Sequence, residues 1–221
     1  MHLAQSTRKE SNGEGLVGLI DGGQAIVMTL LVIEMPILII ELVINAKNSQ
    51  ELLSYLTMDI IGYFLAALIV YDIWSMQKSL FQSTKSSKSQ NLSCVSTLWL
   101  STLIPPMLYI AEHFAQSSIR DSLVHEVIKG NETLIFRTIT IFIVLVIHAI
   151  LLLFSRKADN QLDKPSVDYN SKLLRLRVIA LSVIIPFSFA IGFIATGGYV
   201  LIPFILFVPF IFIPVKPLRH A

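Results

Sequence analysis

Long apolar runs, separated by polar segments, dominate the sequence. We place membrane-spanning helices at about 16–40, 53–76, 92–111, 134–155, 174–195 and 198–215. Each run approaches the roughly 20 mostly apolar residues that a helix needs to cross the hydrocarbon of a bilayer. The pattern therefore predicts an all-α membrane protein that forms one domain, residues 1–221, with six transmembrane helices and no soluble domain.

Polar connectors separate the predicted spans. Segments 82–91, 112–133 and 156–172 are hydrophilic, and Thr196-Gly197-Gly198 joins the last two spans as a tight helical hairpin. Pro105-Pro106 interrupt the third span, and proline removes a backbone donor and tends to kink a helix. We therefore expect the third span to be bent.

The positions of lysine and arginine predict the orientation of the chain. With the N-terminus in the cytoplasm, thirteen basic residues lie on the cytoplasmic side and four on the opposite side. The cytoplasmic group includes Arg175 and Arg177, which the prediction places at the start of the fifth span. Because cationic loops remain cytoplasmic, this bias predicts that both termini face the cytoplasm.

The amino-acid composition of the chain narrows the kinds of molecule that it can bind. The chain is 54% hydrophobic and 14% charged, whereas soluble domains carry about 25% charged residues. Its net charge of +2 is too small to suggest a nucleic-acid partner, so membrane lipid is the expected surrounding. The single cysteine, Cys94, excludes an internal disulfide and a site built from several thiolates.

A catalytic or metal site has little support in the sequence. No pair of the five histidines has the i, i+4 spacing of a helical zinc site. His113 and His125 each have a glutamate neighbour in the loop 112–133, but adjacent residues on a helix point to different faces. We therefore predict no metal, no cofactor and no enzymatic activity.

The first predicted helix carries polar residues near its cytoplasmic end. Asp21 and Gln24 lie one turn apart and share a face. Intramembrane ionisable residues are costly and usually face a bundle interior or water. Two interpretations remain open here, a polar face that bonds neighbouring helices and a helix cap at the membrane interface.

The other side of the same helix is apolar. Ile26, Leu30 and Ile33, at i, i+4 and i+7, form a stripe with Thr29 at its edge. Such a stripe can pack against the same stripe of other copies of the chain around a symmetry axis, or it can simply face lipid.

The first helix also resembles a known family. Asp21-Gly22, Ala25-Ile26, the run Thr29-Leu30-Leu31-Val32 and Glu34 are similar to the first-helix signature of the prokaryotic transmembrane protein 175 channels. In the second span, 73–81 resembles the family's Trp-x-x-His-His-x-x-Phe segment. Trp99 falls where the family has a tryptophan in the third span.

Several family positions differ in this chain. Gly15 replaces an arginine, Leu19-Ile20 replace Phe-Ser, and Gln77-Lys78 replace two histidines. In the family these groups form a hydrogen-bonded network between helices. Of these groups only Asp21 and Trp74 remain here. We expect Lys78 to replace the arginine as the partner of Asp21, with Gln24 one turn from Asp21 in the same network.

The resemblance implies a homotetrameric potassium channel whose pore is lined by the first helix of each subunit. Its hydrophobic constriction falls on Ile26, Leu30 and Ile33, and the Thr29 hydroxyl is placed to help hydrate a passing cation. The implied permeant ion is potassium and the implied location is a prokaryotic cell membrane. A non-conducting membrane protein or small-solute carrier on the same scaffold is the alternative.

Overall fold

The structure, a computed structural model, describes residues 3–45, 48–82, 88–111, 126–157, 164–194 and 202–214. These residues form six helices, numbered in chain order: α1 (Leu3–Asn45), α2 (Ser49–Gln82), α3 (Lys88–Thr102), α4 (Glu126–Lys157), α5 (Lys164–Ile194) and α6 (Ile202–Ile211). A further helical stretch, 104–111, continues α3.

Within the residues that the structure describes, five segments are long and apolar enough to cross a membrane: Gly15–Ile40, Ile60–Phe81, Ser89–Ala111, Ile135–Ser155 and Asp168–Ala190. The prediction of an all-α membrane protein is confirmed by these helices. The described part of α6 has ten residues and rises about 15 Å, so a sixth span remains a prediction.

Several helices extend beyond the predicted spans. α2 continues as helix to Gln82, past the predicted span end at residue 76, and buries Leu80 and Phe81 in the core. α5 begins at Lys164, before the predicted start of the fifth span at residue 174. Charged residues that the sequence suggested as loop positions therefore lie within helices.

The helices pack around one apolar core. The closest pairs are α1 with α2 and α4 with α5, while α3 contacts both α1 and α4. The helix α6 lies against α2 and α5. Side chains from α1, α2, the third span, α4, α5 and α6 contribute to the buried cluster.

Helix α1 has one buried and one exposed face. Ile20, Val27, Leu31 and Leu38 are buried, with spacings of four or seven residues that keep them on one side. The opposite side is mostly uncovered by this chain. Thus α1 lies at the surface of the bundle along its whole apolar length.

The third span is interrupted by a turn at Leu103. The Leu103 N–H donates to the Leu100 carbonyl at 3.2 Å, and helical geometry resumes at Ile104. Pro105 and Pro106 then occupy the first turn of the new helical stretch, where no intrahelical donor is required. The predicted interruption is present, two residues before Pro105.

Several predictions fall outside the described residues. These include the tight hairpin at 196–198 and most of the loops, namely positions 83–87, 112–125 and 158–163. The cytoplasmic placement of both termini remains a prediction.

Candidate functional site

Asp21 joins α1 to α2 near the predicted cytoplasmic end of the bundle. Its Oδ1 atom accepts a hydrogen bond from the Trp74 indole N–H at 2.7 Å. The Lys78 ammonium lies 3.1 Å from Oδ2 and 3.3 Å from Oδ1, and 4.9 Å from the centre of the Trp74 ring. The structure thus brings Asp21 together with both candidate partners.

The ion pair is not enclosed by this chain. The Asp21 side chain is 42% exposed and that of Lys78 is 35% exposed. A half-exposed ion pair costs little free energy where water reaches it, but its free-energy cost is high where it faces lipid tails. The surroundings of this pair therefore depend on what covers the surface of the bundle.

Gln24 extends the contact to a third helix. Its Nε2 atom donates to Gln77 Oε1 at 2.9 Å and approaches Ser101 Oγ at 3.3 Å. All three side chains are buried. Gln24 therefore ties α1 to both α2 and α3, and Gln77, which replaces a family histidine, keeps a polar contact with the first helix.

The proposed gate residues lie on or beside the exposed face of α1. Ile26 is 59% exposed and Ile33 is 55% exposed, while Leu30 is half-buried at the edge of that face. Thr29 is exposed, and its hydroxyl donates to the Ala25 carbonyl at 2.8 Å. With its hydrogen committed to the backbone, the Thr29 oxygen presents lone pairs outward.

Val32 does not lie against other helices of the chain, since it is 68% exposed. It lies on the edge of the exposed face nearer Ala25 and Met28, on the other side from Leu30. The exposed face of α1 is thus wider than the stripe of three residues predicted from spacing.

A second polar cluster was missed by the sequence analysis. Asp72 of α2 and Arg177 of α5 form a buried ion pair, with Nη1 2.6 Å from Oδ2. The Arg177 side chain is fully enclosed between helices and is not a solvated loop cation. Its place on the cytoplasmic side of the membrane stays a prediction.

Arg177 also binds the end of α6. Its Nη2 atom donates to the carbonyl of Phe210 at 2.7 Å and to that of Ile213 at 3.2 Å. The last carbonyls of a helix have no partner within the helix and carry partial negative charge. One guanidinium therefore neutralises Asp72 and caps the C-terminal end of α6.

His148 of α4 lies beside this pair. Its Nδ1 atom is 2.8 Å from the Val144 carbonyl, so Nδ1 must donate because a carbonyl only accepts. Its Nε2 atom is 3.8 Å from Asp72 Oδ2 and has no hydrogen-bond partner among the described residues. The cluster thus connects α2, α4, α5 and α6.

The signal for this cluster was present in the sequence. Asp72 interrupts the apolar run 60–73, and Arg177 lies among Leu174, Leu176 and Val178. An intramembrane acid on one span and an intramembrane base on another are expected to pair. The rule that singles out Asp21 in α1 thus applies equally to Asp72 in α2.

Among the described residues, no group of three or more histidine, cysteine, aspartate or glutamate side chains is arranged to hold a metal ion. His113 and His125 lie outside the described part of the chain. The absence of a metal or cofactor in the functional protein remains a prediction.

The comparison with protein families identifies the first part of the chain. Residues 16–105 match the family described as endosomal/lysosomal potassium channel TMEM175. No curated protein and no solved structure matches the chain. The resemblance drawn from the first three spans is confirmed by this match, and the matched segment contains Asp21, Gln24, Trp74, Lys78 and the stripe on α1.

Proposed function

We propose that the chain forms a potassium-permeable channel with a hydrophobic gate on α1, assembled as a homotetramer. The observation that carries the proposal is the family match over 16–105, which contains α1, α2 and α3. The matched segment includes every residue proposed for the gate and for the network beside it. The proposal extends a potassium-channel family's activity to this chain.

The exposed face of α1 supports a pore-lining role. A pore between subunits requires one helix from each copy with a face that its own bundle leaves uncovered. Ile26 and Ile33 lie on such a face, with the Thr29 oxygen between them. A ring of these side chains blocks ions when it excludes water, and an adjacent oxygen lowers the cost of cation entry.

The contacts of Asp21 and Gln24 would hold α1 at a fixed rotation. Rotating α1 about its axis would break the bonds to Trp74 and Lys78 on α2 and to Ser101 on α3. The buried face of α1 would also leave the core. We therefore assign Asp21, Gln24, Trp74 and Lys78 a positioning role, which keeps the apolar stripe directed outward.

The packing of α1 supports assembly from several copies, and the number four comes from the family resemblance. A single copy of α1, packed on its own α2 and α3, does not enclose a path for ions. Four copies would place four stripes around one axis, as the family resemblance implies. The mass of the intact complex in detergent should then equal that of four 24.7 kDa chains plus bound detergent.

A potassium flux assay with purified protein in liposomes tests the proposal. Flux that depends on the protein, and that rises when Leu30 is replaced by asparagine, is the expected result. The matched control is Ile179→Asn on α5, at an exposed position far from α1 in the chain. No potassium flux over a range of pH and voltage would favour a non-conducting membrane protein or a solute carrier on the same scaffold.

A further inference from the structure

A groove separates α1 from α2 on the outer surface of the bundle. Its volume is about 240 Å³ and its lining is almost entirely apolar, with Ala25 and Met28 on one wall and Val70, Tyr71 and Trp74 on the other. Asp21 lies at one end of the groove. The groove is open to the outside, so this chain leaves it unfilled.

A ridge projects on the opposite flank of α1. Leu92, Val95 and Trp99 of α3 are exposed, and their spacing of three and four residues places them on one side of the helix. Their neighbour Leu98 contacts α1 at Gly23, so the ridge stands beside α1 rather than behind it. Each chain thus carries a groove on one flank of α1 and a ridge on the other.

The groove and the ridge lie at the same depth along the bundle. The Leu98 side chain lies 2.9 Å from where a Cβ atom on Gly23 would be, and Ser101 is bonded to Gln24. Trp99 lies between Leu98 and Ser101, so it is level with the Asp21 end of the groove. A rotation axis along the membrane normal preserves depth, so a ridge from one copy can meet the groove of the next.

The two surfaces are also complementary in hydrogen bonding. Trp99 is 64% exposed, and its indole N–H has no acceptor among the described residues. Asp21 is a partly exposed carboxylate with lone pairs left beyond its bonds to Trp74 and Lys78. In a membrane a free donor and a half-exposed carboxylate are both costly, and each would satisfy the other.

We propose that the Trp99 ridge of one copy docks in the groove between α1 and α2 of a second copy, with its indole N–H directed to Asp21. The occupant is thus another copy of this chain. This contact joins two different surfaces, so repetition around an axis closes a ring instead of stopping at a dimer. The inference rests on the proposed function for the ring of four and adds the interface that builds it.

Cross-linking between two tagged chains tests the contact directly. In a Cys94→Ala background, a chain with Ala25→Cys is coexpressed with a differently tagged chain carrying Thr102→Cys, which lies one turn beyond Trp99 on α3 and leaves the Trp99 ridge intact. Membranes are then treated with a short thiol-specific cross-linker. We expect a heterodimer when both chains are present. The control pair, Ala25→Cys with Val183→Cys on the exposed side of α5, should give none.

Three results of this experiment would overturn the contact. They are equal cross-linking of the control pair, homodimers of either singly substituted chain, and no cross-link at all between Ala25→Cys and Thr102→Cys. Homodimers would indicate a contact between like surfaces. Trp99→Ala should shift the mass of the complex from four subunits to one, and an unchanged mass contradicts the inference.

Tryptophan fluorescence tests the contact in unsubstituted protein. The chain has two tryptophans, Trp74 and Trp99, so the Trp99 signal is the difference between wild type and Trp99→Phe. In vesicles of brominated phosphatidylcholine we expect that signal to be protected, because the ring is covered by protein. Strong quenching would show that lipid occupies the ridge, and would refute the docking.

These readouts are independent of conduction. Cross-linking at the proposed pair without potassium flux would retain the interface and reject the channel. Flux without the cross-link, and with a quenched Trp99, would retain the channel and reject the interface.

Discussion

Arg177 and Asp72 are 105 residues apart in the sequence, yet Nη1 of the arginine lies 2.6 Å from Oδ2 of the aspartate in the interior of the bundle. The same guanidinium holds two carbonyls at the end of α6. The pair therefore connects the segment matched to the channel family, which contains Asp72, to the C-terminal part of the chain, which lies outside that match.

Replacement of Asp72 by asparagine should destabilise the protein severely. The substitution leaves the buried Arg177 charge without its counterion, and breaking such a pair costs about 3–5 kcal/mol. Thermal unfolding in detergent, followed by loss of the native elution peak, should show a clear fall in midpoint for Asp72→Asn.

The double variant Asp72→Asn/Arg177→Met provides the control, because it removes both charges. It should recover part of the lost stability, although Phe210 and Ile213 lose their donor. If the double variant is less stable than Asp72→Asn alone, the unpaired charge of Arg177 is not the main cause of the destabilisation.

The Asp21 network gives a second, smaller prediction. Asp21→Ala removes the acceptor of both Trp74 and Lys78, but the pair is partly exposed, so the loss should be about 1 kcal/mol or less if water reaches it. A double-mutant cycle with Lys78→Ala, read by thermal unfolding, should give a non-zero coupling energy. Additive effects would show that the 3.1 Å contact contributes nothing to stability.

Hydrophobic length and spacing were enough to predict the helical membrane fold and the two faces of α1, because both follow from one-dimensional patterns. The partners of Asp21 were foreseen through the family resemblance, which supplied the second helix. The Asp72–Arg177 pair was not foreseen. Asp72 stands out in an apolar run, but Arg177 closely follows the charged segment 156–172, where a basic residue is usually solvated. The Gln24–Ser101 contact was likewise missed, since it depends on how α3 packs against α1.

The predicted topology is tested by labelling. Cysteines introduced at Ser86 and Asn131 in a Cys94→Ala background should react with an impermeant maleimide from opposite sides of the membrane. The reason is the excess of lysine and arginine on the side assigned to the cytoplasm. Labelling of both positions from one side would overturn the six-span arrangement.

The gate prediction bears most directly on function. If Ile26, Leu30 and Ile33 form the constriction, asparagine at Ile26 or Leu30 should wet the ring and raise potassium flux severalfold, with weaker selectivity. Ile179→Asn is the matched control, since Ile179 is 53% exposed on α5 and Ile26 is 59% exposed on α1. Expression and thermal midpoint should be measured for each variant, so that a folding defect is not taken for a gating effect. Flux that rises equally in Ile26→Asn and Ile179→Asn, at equal protein levels, would show that the exposed face of α1 does not line the ion path.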